Sequence, residues 1–344
     1  MFVQITRLML LVLWLALSSA HASEWKDKAE AEGKVTWYAS LGATDARRII
    51  DRFKELYPKI DAQFYRAGDA TLMERILAES RAGKFEWDVV STTGFYAHNL
   101  KKRGMLAAYD SPERKFIRTG HKDPQAMWTS IYTNYTVLGF NSRLVSRDNV
   151  PKSHSDLLKP IWRGQVGIVQ TAYEWFAVML QAMGQEKGLA FMRELAKQQP
   201  QLRNGRTLLA QLVAAGEVNS GLAAYSQNFE SLKRDGAPVD WVPLDPVYAN
   251  LNPMGLAAKS PRSSAGKLFI DFVLSKVGQE TIRAQRRVPD RIDVLPDPPK
   301  LAQGFTAVFT AEQVYENFDR YVNYFRRPLA NSLRSCDPVA LSSR

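Results

Sequence analysis

The chain has 344 residues and a single cysteine, Cys336. No internal disulfide can form, so the fold must rest on its apolar core. Histidine is scarce too. Only His98, His121 and His154 lie beyond residue 22, widely spaced, and each reads as a solitary surface histidine. The motifs that announce chemistry are missing. There is no Gly-x-Ser-x-Gly elbow, no Gly-x-x-x-x-Gly-Lys-[Ser/Thr] loop, no His-x-x-x-His pair and no Cys-x-x-Cys. An enzyme is therefore not expected, and a hydrolase would need a nucleophile–base pair that the sequence does not display. No internal repeat or low-complexity block is present.

Long apolar runs are absent except at the start. Arg7 precedes the apolar Leu8–Leu17, and Ser18-Ser-Ala-His-Ala22 follows with an Ala-x-Ala site. This reads as a secretory signal peptide over residues 1–22, cleaved after Ala22, because the run is too short for a membrane span. An uncleaved anchor is the alternative. No cysteine near the cleavage point offers a lipid anchor. The expected compartment is a bacterial periplasm.

What the chain does have is positive charge. Lys and Arg number 46 against 35 Asp and Glu, a net of +11. Removing residues 1–22 removes Arg7 and no acid, leaving 11 − 1 = +10. Such a balance suits anionic ligands or anionic surfaces, or is general basicity. The clusters Lys101-Lys102-Arg103, Arg283/Arg286/Arg287/Arg291 and Arg326-Arg327 are not interleaved with aromatics, so nucleic acid is not an expected partner.

The hydrophobic fraction of 45% supports a sizeable core and about two domains. Short β-branched and aromatic runs read as strands: Val35–Ala39, Ala62–Tyr65, Trp87–Val90, Ile131–Asn141, Gln165–Val169, Ser220–Tyr225 and Val239–Val242. Amphipathic helices lie between them, among them the stripe Ile49, Ile50, Phe53, Leu56 and Tyr57, and the segment Ser263–Leu274. The pattern predicts an α/β fold with parallel sheets and right-handed crossovers. The extended stretch Tyr132–Asn141 leaves one α/β half and enters the other, and Asn250–Ala258 returns. The predicted division is residues 23–134 with 254–288 as lobe 1 and 135–253 as lobe 2. Residues 289–344 form a C-terminal helical extension on lobe 2, with a frayed end.

The ordered set of features resembles a known family. It comprises Val35-Thr-Trp-Tyr-Ala-Ser, Tyr65-Arg-Ala-Gly-Asp, Trp87-Asp-Val-Val and Gly104-Met-Leu. Then come Val137-Leu-Gly-Phe-Asn141, Leu157-Leu-Lys-Pro-Ile-Trp-Arg-Gly164, Gly221-Leu-Ala-Ala-Tyr225 and Ala265-Gly-Lys-Leu-Phe-Ile-Asp-Phe-Val-Leu-Ser275. These are similar to the extracellular solute-binding proteins of bacterial ABC importers, in the branch holding ferric-ion, thiamine, polyamine and phosphonate or sugar-phosphate binders. The resemblance implies a two-lobed type II periplasmic-binding fold with two crossover hinge strands that closes on a small-molecule ligand. It also implies ABC permease and ATPase subunits as partners and no resident cofactor; a monomer is expected.

Ligands in parallel sheets sit at the carboxyl ends of strands. Three turns converge there, and Ser40, Gly42, Arg66, Gly68, Thr92 and Thr93 are the candidates in them. Free N–H groups at helix N-termini suit a phosphate, phosphonate or carboxylate, and Arg66 could add a bidentate contact. Ordinary turn and capping chemistry is the competing account of these residues, and Asp69 reads as an N-cap. Thr171 and Glu174 fit a capping box. Tyr132 and Asn134 on the outgoing crossover, Asn252 on the return, Tyr173 and Tyr225 complete the candidate ligand set. By resemblance, ferric binders use two consecutive tyrosines where this chain has Ala224-Tyr225-Ser226. They also use a His and a Glu in the first two turns, where this chain has neither. Fe³⁺ is thus the alternative transported ligand, with Tyr225 as its one protein ligand here.

Overall fold

The computed structural model describes residues 25–334, with side chains through Arg326. Residues 1–22, read as a signal peptide, and residues 335–344, which include Cys336, lie outside the described residues. No helix among those described is long and apolar enough to cross a membrane.

The chain divides into two compact units. Unit 1 takes the described residues through Tyr132, then Asn252–Gln285 and Pro289–Leu295. Unit 2 takes Thr133–Leu251, Arg286–Val288 and the described residues from Pro296. The crossings thus fall at 132/133 and 251/252, two residues before the positions read from sequence. The proline-rich stretch does not go whole to a C-terminal extension. Gln279 Oε1 accepts the N–H groups of Asp290 (3.0 Å) and Arg291 (3.3 Å), which fastens 289–295 to unit 1.

Unit 1 begins with helix α1 over residues 25–32 and then alternates strand and helix. In order these are β1 (Lys34–Ala39), α2 (Ala43–Leu56), β2 (Asp61–Arg66), α3 (Asp69–Arg81), β3 (Val89–Ser91), α4 (Gly94–Lys102) and β4 (Leu106–Ala107). Strands β2, β1 and β3 pair in parallel, as alternation with helices requires. The returning strand β10 (Val247–Ala257) then pairs antiparallel with β3 through Met254–Leu256, and with β4. Helices α9 (Ser263–Leu274) and α10 (Lys276–Ala284) complete the unit. Trp37, Phe53, Phe269 and Phe272 form its main core, with ring centroids 5.1–6.3 Å apart for the contacting pairs. Arg262, the N-cap of α9, makes no side-chain cap. Instead Glu32 accepts the N–H groups of Ser264 and Ala265 from α1, at 3.1 and 2.7 Å.

Unit 2 repeats the logic. After β5 (Thr129–Asn141) come β6 (Val166–Val169), α5 (Tyr173–Met183), α6 (Gln185–Lys197), β7 (Gln201–Arg203) and α7 (Arg206–Ala215). Strand β8 (Ser220–Tyr225), α8 (Ser226–Arg234) and β9 (Val239–Val242) follow. Strands β7, β6 and β8 are parallel, while β5 runs antiparallel to β8 and β9. All 13 residues of β5 are buried, which explains why its sequence shows no polar alternation. Helices α11 (Glu312–Glu316) and α12 (Phe318–Arg334) close the described chain. The strand β7 and the cis bonds before Pro246 and Pro298 were not legible in the sequence, whereas α11 and α12 lie in the stretch read as helical.

Two local readings are corrected. Helix α5 is not opened by a capping box. Its N-cap is Ala172, and Glu174 instead accepts the Tyr248 hydroxyl at 3.0 Å. His121 and His154 are not surface residues. His121 is buried with its Nδ1 2.9 Å from Asp290, and His154 is buried with Nδ1 3.1 Å from the Asp245 carbonyl. Their partners are distant in sequence, so spacing alone made them look solitary.

Gly139 sits at an irregularity in the β5–β8 register. A Cβ there would fall 2.0 Å from the buried Phe229 ring of α8. Gly139→Ala is expected to cost about 1–3 kcal/mol in urea unfolding, and Phe229→Leu in the same chain to recover part of it.

Asp271 of α9 accepts the Tyr109 hydroxyl at 2.7 Å, and burial lifts its carboxyl to about 6. The unfolded carboxyl titrates near 3.9. Between those values the folded chain holds a proton that the unfolded chain has released. The stabilising contribution is complete below the lower value and is lost as pH rises through the upper one. Asp271→Asn should flatten that window and raise stability at pH 7 by about 1–2 kcal/mol, read from denaturation midpoints at pH 4 to 7.5.

Candidate functional site

In unit 1 the register of three parallel strands sets the geometry. Ala39 at the end of β1 lies beside Arg66 of β2 and Ser91 of β3. Each strand turns directly into a helix, so three helix N-termini share one edge of the sheet. Their N-caps are Gly42, Gly68 and Thr93, and none donates or accepts a side-chain cap hydrogen bond. Two of the three caps are glycines, which carry no side chain that could fill the place of a ligand. Gly42, Thr44 and Arg66 are exposed there, and Ser40 is half-buried. The Arg66 Nε donates to the Leu41 carbonyl at 3.3 Å, which lays the guanidinium along the first turn.

Asp69 does not play the part read from sequence. Gly68 is the N-cap of α3, and Asp69 is its first residue. The Asp69 Oδ1 reaches across to β3, accepting the Thr92 hydroxyl at 2.5 Å and the Thr93 N–H at 3.1 Å. It therefore supplies the start of α4 with an anion from within the protein. Of the other two helix starts, the one at Gly42 has Asp45 in its first turn, its Oδ2 3.7 Å from where a Gly42 Cβ would lie, and the one at Gly68 has Asp69 itself. Thr92 and Thr93 serve this cross-turn bond, and the Thr92 N–H donates to the Pro253 carbonyl at 3.1 Å. Asp69→Ala should lower stability by about 1–2 kcal/mol in chemical denaturation, and Asp69→Asn by less, since the amide oxygen still accepts.

Tyr132 is buried in the core of unit 1. Asn252 is buried there as well. Its N–H donates to Ser130 Oγ at 3.2 Å, and its Oδ1 has no hydrogen-bond partner among the described residues.

Unit 2 gathers a second polar group around Tyr225, the last residue of β8 and the N-cap of α8. The Tyr225 hydroxyl accepts a hydrogen bond from Asn250 Nδ2 at 2.7 Å. The Arg206 guanidinium stands over the Tyr225 ring, 4.6 Å from its centre, and its Nε donates to the Ala223 carbonyl at 3.3 Å. Asn134 Oδ1 accepts from Gln227 Nε2 in the first turn of α8. Asn250 Oδ1, Gln227 Oε1 and Ser226 Oγ are buried with no partner among the described residues. Buried polar atoms are rarely left so, and they suit hydrogen-bond donors brought by a ligand.

Sequence reasoning placed Tyr225 and Asn134 here but missed Arg206, Ser226 and Gln227. The signal for Arg206 was its place at the first residue of a helix opened by Gly205. Tyr173 lies elsewhere in unit 2. Its ring packs against Phe318 and Phe325 of α12, and its hydroxyl accepts Arg326 Nε and a terminal nitrogen at 3.1 and 2.9 Å. Among the described residues no group of three or more His, Cys, Asp and Glu side chains could hold a metal ion.

The family model for bacterial extracellular solute-binding proteins matches residues 87–304. A Serratia marcescens protein named Fe(3+)-binding periplasmic protein is 25% identical over 227 residues, 63% of this chain and 66% of its own. A Salmonella typhimurium protein provisionally named for periplasmic 2-aminoethylphosphonate binding is 25% identical over 328 residues, 90% of this chain and 93% of its own. Two solved structures share the fold at a TM-score of 0.74. Iron-bound HitA of Pseudomonas aeruginosa is 21% identical and matches 86% of this chain and 99% of its own. AfuA of Actinobacillus pleuropneumoniae, with fructose-6-phosphate bound, is 22% identical and matches 87% and 99%.

Proposed function

Because the chain belongs to the bacterial extracellular solute-binding proteins, we propose that it is the periplasmic substrate-binding component of an ABC importer. It captures a small anionic solute of phosphonate, sugar-phosphate or carboxylate type and delivers it to a membrane permease driven by an ATPase subunit. It works as a monomer after removal of residues 1–22, and it carries out no catalysis itself. The relatives named for periplasmic binding support this setting.

The observation that carries the ligand class is the edge of unit 1. Two adjoining helix starts lack a side-chain cap, and an exposed guanidinium lies along the first of them. Main-chain N–H groups, the helix dipole and arginine all favour negative charge. In unit 2 the Arg206 guanidinium over Tyr225 opposes a bare cation and supports the same class. A ferric ion would find one tyrosine at this position and, in the first two turns, no His or Glu.

A thermal-shift panel of phosphonates, sugar phosphates, carboxylates, thiamine, spermidine and ferric citrate tests the reading, since a ligand of the folded state raises the melting temperature. At least one anion should stabilise the mature protein. Arg66→Ala should weaken its binding about tenfold or more by calorimetry, with the fold intact. If ferric salts alone stabilise, and Tyr225→Phe abolishes the effect while Arg66→Ala does not, the ligand is iron and the anion reading fails. Turnover of an ester or phosphoester without any stabilising ligand would favour a hydrolase instead.

A further inference from the structure

Unit 1 holds a second feature at the other end of its sheet. The edge described above lies where β1, β2 and β3 end, at Ala39, Arg66 and Ser91. Trp87 lies two residues before β3 begins. Strand β10 runs antiparallel to β3, with Leu256 opposite Val89, so Ala257–Lys259 also lie at this opposite end. A cavity of about 140 Å³ opens there, between the 85–87 segment, the turn from α4 to β4, and the exit of β10.

Its walls are apolar and its mouth is cationic. Phe85, Trp87 and Met105 line it, together with Arg103 and Lys259. The Lys259 ammonium sits 5.0 Å from the centre of the Phe85 ring. The Ala258 N–H donates to the Met105 carbonyl at 2.9 Å, and Gly104 turns at φ +66°, so the walls are fixed by main chain. Arg103 and Lys259 are exposed, and neither pairs with a carboxylate among the described residues. Asp88, next to Trp87 in sequence, is already held by the Thr36 N–H, the Ser260 hydroxyl and Arg262 at 2.7–2.9 Å. An apolar cavity of this volume takes a single six-membered ring. A thioether beside aromatic walls favours a flat ring over a bulky aliphatic body.

We propose that this cavity is a second ligand site, separate from the helix-start edge, for a small aromatic carboxylate. The ring enters among Phe85, Trp87 and Met105, and the carboxylate meets Arg103 and Lys259 at the mouth. The two cations give the site its preference for charge, and the volume of about 140 Å³ limits it to one ring.

Phenylacetate titrated into the mature full-length protein, followed at the methyl resonance of Met105, tests this directly. The expected result is a saturable shift at Met105, with benzyl alcohol binding at least about tenfold more weakly for want of the charge. The double variant Arg103→Glu/Lys259→Glu should lose binding by a similar or larger factor. Both side chains are exposed, so a normal melting curve would confirm that the variant folds. Arg66→Ala should leave phenylacetate binding unchanged. The proposal is overturned if Met105 shows no saturable shift, or if charge reversal has no effect. It also falls if binding disappears in Arg66→Ala, because the acid would then occupy the edge at the other end.

Discussion

The parallel register of β2, β1 and β3 is the constraint on which unit 1 depends. Pairing Ala39 with both Arg66 and Ser91 brings three strand ends level, and each right-handed crossover must then start its helix at the same edge. A shift of the pairing would move Arg66 away from Leu41 and break the alignment of the helix starts. The same register carries the Asp69 bond, because a carboxylate at the start of α3 can reach Thr92 and Thr93 only if the ends are level. Electrostatics at the edge follow from this. Three helix starts share the edge, Asp69 reaches the start of α4, Asp45 lies in the first turn of α2, and Arg66 adds positive charge along the first turn.

Unit 2 reaches a comparable result by other means. The tip of the Phe229 ring meets Gly139, and this close approach seats α8 against β5. The seating places Ser226 and Gln227 at the start of α8 next to Asn134 of β5. Asn250 arrives on the returning strand to hold the Tyr225 hydroxyl. Several side-chain oxygens in this group stay buried without partners among the described residues. A buried oxygen left without a donor costs about 1–3 kcal/mol, so atoms of this kind suit donors brought by a ligand.

The fold was legible because local pattern and tertiary role agree through most of the chain. The stripe from Ile49 to Phe53 is buried as its periodicity requires, and the β1, β8 and β9 runs stand nearly where they were read. The turns of unit 1 were legible for the same reason. Strand–turn–helix order alone puts Ser40, Gly42, Arg66 and Gly68 on one edge. The reading failed where a side chain serves a distant partner. Asp69 looks like a local cap but bonds across two turns. Glu174 looks like half of a capping box but takes the hydroxyl of Tyr248, 74 residues away. His121 looks solitary because Asp290 is far along the chain. Arg206 carries no motif, and only the fold brings it over Tyr225. Local propensity is a weak guide wherever a long-range bond satisfies the same group better.

The two sites proposed at the ends of the unit 1 sheet would recognise charge in physically different ways. At the helix-start edge the donors are main-chain N–H groups, which every residue but proline supplies. Side chains there can vary widely while that array of N–H groups persists, provided the turns stay small and the register holds. That is why glycines rather than a conspicuous motif mark Gly42 and Gly68, and why the edge was visible as a pattern of turns but not as a signature. At the opposite end the cations are Arg103 and Lys259 side chains over an apolar hollow. Single substitutions can create or erase that character without touching the fold. The first kind of site is tied to the architecture and the second is free to diverge. A chain built on this sheet can therefore keep one mode of anion binding while its second cavity changes ligand.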